Sequence, residues 1–192
     1  TDAQPVTPHD YQPEGPLQRA LNRIDRLNWS LGGAFLWISN ICLLVMLGLT
    51  TATIILRPMS LAPYWMWPWT MVFFIWLSFF GFFALYARLK DVRIDFVAER
   101  LGASGMVITR IVSDAATLLV TGVLILQIPK VIATSNGVYD GAILPAGFEL
   151  PRLALSVPLF ISTVLVALTA VLDIVKLAAG MPENVTDHHP EV

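Results

Sequence analysis

The chain has 192 residues, of which 56% are hydrophobic and only 14% charged, where a soluble domain carries roughly 25% charged residues. Most of its apolar surface must therefore face lipid or a partner, which excludes an ordinary soluble globular domain. The net charge of -2 gives no reason for a nucleic-acid ligand, and the sole cysteine, Cys42, excludes an intrachain disulfide and a Cys-based metal cluster.

Residues 1–16 form a polar tail in which Pro5, Pro8, Pro13 and Pro16 resist regular helix. From there Leu17, Leu21, Ile24, Leu27 and Leu31 recur at spacings of three and four. Gln18, Arg19, Asn22, Arg23, Asp25 and Arg26 fill the other face. Residues 17–28 thus read as an amphipathic helix expected to lie along lipid headgroups.

The first uncharged run, Trp29 to Leu56, is too long for the apolar region of a secretory signal, and the sequence predicts a retained spanning helix. Arg57-Pro58 stops it. A collar of Pro63, Tyr64, Trp65, Trp67, Pro68 and Trp69 follows, and then a second crossing over 70–88. Thr70 to Ala87 would extend about 27 Å as helix, near the ~30 Å of a hydrocarbon layer. Tryptophans mark one of its rims, and Arg88, Lys90, Asp91, Arg93 and Asp95 mark the other. Within it Ser78, Gly81 and Ala84 are small residues three apart. They suit close approach of another backbone, although chance spacing explains them equally well.

The third crossing is expected over 110–129, closed by Pro129-Lys130. Residues 130–152 read as a loop carrying the turn dipeptides Asn136-Gly137 and Asp140-Gly141. The fourth crossing is expected over 153–176, with Pro158 near its start, tolerable if neighbours satisfy the freed carbonyl. A tail over 179–192 ends the chain. The fold class is therefore an all-α integral membrane protein, four transmembrane helices preceded by an amphipathic interfacial helix.

Four crossings put both termini on one side. Arg19, Arg23, Arg26, Arg88, Lys90, Arg93, Arg100, Arg110 and Lys176 fall there, nine against the three of Arg57, Lys130 and Arg152. The positive-inside rule makes the side of the nine cytoplasmic.

Chemistry is sparse. The three histidines, His9, His188 and His189, all sit in the tails, so no haem ligand stands at membrane depth. No phosphate loop, nucleophile elbow or paired-Cys motif appears, and neither an enzymatic activity nor a cofactor is expected. Arg110 with Asp114, and Asp173 with Lys176, are four and three apart. Each set reads as a local ion pair at the rim in preference to a proton or sodium site. No carboxylate lies near the middle of a run, so the chain is not expected to move solute by itself.

The ordered set of Arg57, Trp67 or Trp69, Gly81, Asp91-Val92-Arg93-Ile94-Asp95, Arg100-Leu101, Leu150-Pro151 and Val157-Pro158-Leu159 resembles the small membrane subunit of tripartite ATP-independent periplasmic (TRAP) transporters. The resemblance covers most of residues 20–178. It departs from the family's pattern where Pro68, Trp69 and Thr70 replace acidic residues after the collar Trp, and where Asp91 replaces a histidine. It implies a bacterial inner-membrane scaffold for a large permease subunit, which carries substrate and sodium, with a periplasmic solute-binding protein as third component. Implied substrates are organic acids such as C4-dicarboxylates or sialic acid. Arg57, Trp67, Trp69, Ser78, Gly81, Ala84, Arg93 and Asp95 are the candidate contacts to those partners or to membrane lipids. A membrane anchor or assembly subunit of a respiratory or other enzyme complex remains the alternative.

Overall fold

The computed structural model describes residues 13, 15–88, 102–143 and 147–181. Its elements are α1 (Pro16–Leu56), α2 (Met66–Arg88), α3 (Gly102–Thr134), β1 (Val138–Ile143), β2 (Glu149–Pro151) and α4 (Leu153–Ala178). Four helices are long and apolar enough to cross a membrane.

The amphipathic segment 17–28 and the first apolar run are one unbroken helix of 41 residues, about 62 Å long at ~1.5 Å per residue. Pro16 stands in its first turn, where the missing N–H costs nothing. The expected division of faces holds in part, since Leu21 is buried and Arg19, Arg23 and Arg26 are exposed, but several positions depart from it. Asp25 is buried (2% exposed), while Leu17 and Leu27 are each 62% exposed. In lipid the outward face of a helix gains nothing from being polar, so apolar residues turn out and the polar residue seeks a partner inside.

The end of α1 closes on a left-handed Ser60 (φ 55), with Leu61 N–H donating to Leu56 O at 3.2 Å and Ser60 N–H to Arg57 O at 3.1 Å. The same Schellman geometry ends α4. Met181 N–H donates to Lys176 O and Gly180 N–H to Leu177 O, and the φ of +69 at Gly180 suits a residue without Cβ. This turn folds Met181 back against Leu21 and Leu172.

Two expectations about the connection between α3 and α4 are corrected. Pro129 does not close the third helix, which continues to Thr134; one proline removes one backbone hydrogen bond, and here the remaining turn holds. Residues 130–152 are not a plain loop, because β1 and β2 pair antiparallel within it. Asp140-Gly141 is not the hairpin turn either. Gly141 (φ +83) lies inside β1, where the register shifts, and a Cβ there would sit 2.8 Å from Pro68 Cγ. The glycine thus lets the strand bend onto the start of α2, where Ala142 and Leu150 bury Trp69 and Val72.

The helices form an open row. α1 packs along α2, α2 on α4, and α4 on α3; among the described residues α3 touches neither α1 nor α2. α1 meets α4 at the end of the row that holds residues 16–28 and 169–181, here called the terminal end. The opposite end carries the hairpin.

Candidate functional site

At the terminal end the structure assembles a buried cluster of five charged side chains. Asp25 of α1 faces Lys176 of α4 at 3.1 Å, with exposures of 2% and 0%. Arg110 of α3 is buried and donates from Nη2 to the backbone carbonyl of Asp173 at 3.1 Å. Asp114, one turn along from Arg110, and Asp173 are buried as well, and neither is without a partner.

Beyond the two local ion pairs that spacing suggests, the Asp25–Lys176 pair and the Arg110 bond to Asp173 O tie three helices together. Spacing identified four members, but Asp25 escaped it because its position matched the polar side of an amphipathic pattern. Stranding a single charge in this environment would cost several kcal/mol, a cost that the pairing of Asp25 with Lys176 avoids. Among the described residues no group of three His, Cys, Asp or Glu side chains is placed to hold a metal ion.

Just inside this junction α1 and α2 approach closely. A Cβ on Gly32 would lie 3.0 Å from Ala87 Cβ, and one on Gly33 would lie 2.6 Å from Arg88 Nη2. Arg88 folds over this bare stretch of α1 and places its guanidinium carbon 4.6 Å from the centre of the Trp29 ring, a cation–π geometry. Further along, Phe35 packs edge-on against Phe80 and Phe83 at 5.3 and 5.0 Å.

Of the small residues singled out in α2, Ala84 is buried against this contact and Gly81 faces Ser39 Oγ, 3.6 Å from where a Cβ would stand. Ser78 is exposed, its hydroxyl donating to Phe74 O at 2.8 Å. The close approach thus uses Ala84 and Ala87 on one helix and Gly32 on the other. The Gly32-Gly33 pair was the missed signal in the sequence.

At the hairpin end the two collar tryptophans separate. Trp69 is buried under the hairpin, while Trp67 is half exposed beside Thr50, Thr53, Ile54 and Thr70. Arg57 is exposed at the close of α1. Arg93 and Asp95 lie outside the described residues.

A residue not singled out, Trp76, resolves the proline in α4. Pro158 has no N–H to give Ala154 O, the carbonyl four residues back, and Trp76 Nε1 donates to that oxygen at 3.1 Å.

These features define a multi-pass membrane protein with its buried charges gathered at one end and broad apolar helix faces left open. Leu119 and Leu126 of α3 are 69% and 78% exposed, and Leu44 and Ile54 of α1 are each 67% exposed. The family model for tripartite ATP-independent periplasmic transporters, DctQ component, matches residues 46–180, well over half of the chain. The chain belongs to this family and is a small membrane component of a TRAP transporter. No curated protein and no solved structure gave a match. Asp25, Trp29, Gly32 and Gly33 precede the matched range.

Proposed function

We propose that this chain is the scaffold subunit of a sodium-coupled, binding-protein-dependent TRAP transporter that imports an organic acid such as a C4-dicarboxylate or sialic acid. It braces a large permease subunit in the bacterial inner membrane, with both termini cytoplasmic, and the hairpin end faces the periplasm, where the solute-binding protein docks. One observation carries this reading. The helices stand in an open row whose α1 and α3 faces are apolar and uncovered, while the buried charges form a partnered junction at one end. Such a chain is built to be packed against, and its charges serve its own fold. The substrate and sodium sites then belong to the permease subunit.

The nine-to-three excess of Lys and Arg supports the orientation. The hairpin and Trp67, exposed at the end opposite the junction, support docking there.

The test is co-expression with the large permease subunit, followed by affinity capture and uptake in the presence of the binding protein. The two membrane chains should co-purify, and deleting this one should abolish uptake. Uptake that persists without it would overturn the scaffold role, and co-purification with a redox subunit would favour an enzyme anchor. Cysteine accessibility from either face of sealed vesicles tests the orientation independently.

A further inference from the structure

We propose that residues 19–27 of α1 lie in the headgroup layer of an anionic leaflet, with Arg19 and Arg23 on lipid phosphates and Ile24 and Leu27 against the upper acyl chains. At about 100° per residue this stretch of helix divides into three sectors. Leu21 and Asp25 face the protein and are buried. Beside them Ala20, Ile24 and Leu27 share an exposed arc of about 60°, Ile24 at 52% and Leu27 at 62% exposure. Arg19, Arg23 and Arg26 share a second exposed arc of about 60° and border a shallow recess with Asn22. Arg26 is already engaged, which leaves Arg19 and Arg23 to reach outward.

Burial of Asp25 makes this surface cationic. Asp25 is the one acid between residues 15 and 31, and it is turned inward to Lys176. The outward side of the stretch therefore carries arginines with no carboxylate of its own beside them. Bulk water would leave Ile24 and Leu27 wet, and hydrocarbon would strip the arginines of their hydration. The boundary between the two serves both sectors, and an anionic boundary also supplies the missing negative charge.

The position along α1 agrees. Trp29 of α1 and Arg88 of α2 stand at one level, the guanidinium carbon 4.6 Å from the ring centre, and a tryptophan with a basic side chain marks a membrane rim. From Trp29 back to Leu27 is two residue steps, about 3 Å, and to Arg23 six steps, about 9 Å. The headgroup layer beyond the hydrocarbon is about 5–8 Å deep. Arg23 thus stands at its outer edge and Arg19 one turn beyond, and both have stems long enough to snorkel back to the phosphates. This contact needs only the membrane and stands independently of the transport reading.

The full chain labelled with bimane at Leu27→Cys, with Cys42→Ala, tests it in phosphatidylcholine nanodiscs. Trace lipid carrying a nitroxide high on one acyl chain is added, as phosphatidylglycerol or as phosphatidylcholine. Both should quench the bimane, and phosphatidylglycerol should do so at much lower mole fraction. That preference should fall roughly fivefold for each of R19Q and R23Q and on the order of thirtyfold in the double variant. R19K/R23K should keep most of it, raised ionic strength should narrow it, and R57Q at the far end of α1 should leave it unchanged. Quenching by neither lipid would place Leu27 in water or under a protein helix. Equal quenching by the two lipids, or a preference that survives R19Q/R23Q, would remove the phosphate contact. Any of these three results would overturn the proposal.

Discussion

Removing the indole donor of Trp76 should expose the cost of Pro158. In the native chain Ala154 O receives Trp76 Nε1 at 3.1 Å, and Pro158 is fully buried next to it. Trp76→Phe keeps an aromatic ring but leaves that carbonyl without a donor. An unsatisfied buried acceptor costs about 1–3 kcal/mol in water-soluble proteins. Interhelical hydrogen bonds in membranes average ~0.6 kcal/mol and reach ~1.7 kcal/mol, so a loss of about 1 kcal/mol is expected. Pro158→Ala returns a backbone N–H to Ala154 O, and in that background Trp76→Phe should cost about 1 kcal/mol less. Trp76 also packs edge-on against Phe73 at 6.0 Å, and the change in ring size cancels across the double-mutant cycle. Reversible unfolding in mixed micelles at rising SDS mole fraction, followed by circular dichroism, gives the four free energies. A cost for Trp76→Phe that is the same in both backgrounds, within ~0.3 kcal/mol, would refute the coupling.

Three further outcomes are expected. Asp25→Asn should destabilise by about 3–5 kcal/mol because it breaks the buried pair with Lys176, and Asp25→Lys with Lys176→Asp should recover part of the loss; a swap no better than the single change would argue against the pair. Gly32→Ala should be nearly neutral, since ~1 kcal/mol of helix propensity offsets the crowding of Ala87, whereas Gly32→Leu should cost about 1–3 kcal/mol or more, read as a lower melting temperature in detergent. Gly141→Ala should loosen the hairpin through its positive φ, about 1–2 kcal/mol, and through collision with Pro68. Red-shifted tryptophan emission and faster quenching would report Trp69 opening to solvent, and an unshifted spectrum would count against that packing.

The candidate contacts divide in an instructive way. Gly81 and Ala84 do face another helix, but spacing alone gave Ser78 the same standing, and it is exposed. Trp67 and Trp69 carry the same interfacial signal two residues apart, yet the hairpin covers one and leaves the other half open. A residue's own type does not report what a distant segment lays over it. The hairpin was hidden for a related reason. Asn136-Gly137 and Asp140-Gly141 mark backbone that favours positive φ, and whether that becomes a turn or a bulge depends on the pairing across from it.

The sequence by itself determined that the chain crosses a membrane and how many helices can do so, because bilayer thickness and the cost of burying charge act on each segment locally. Which side of each helix is inside was decided only by the tertiary structure. Lipid is as apolar as a protein interior, so hydrophobic periodicity cannot separate a packing face from a lipid face. That is why Asp25 turns inward to Lys176, why Leu17 and Leu27 turn outward, and why the bare Gly32-Gly33 stretch, and no hydrophobic stripe, marks where α1 meets α2.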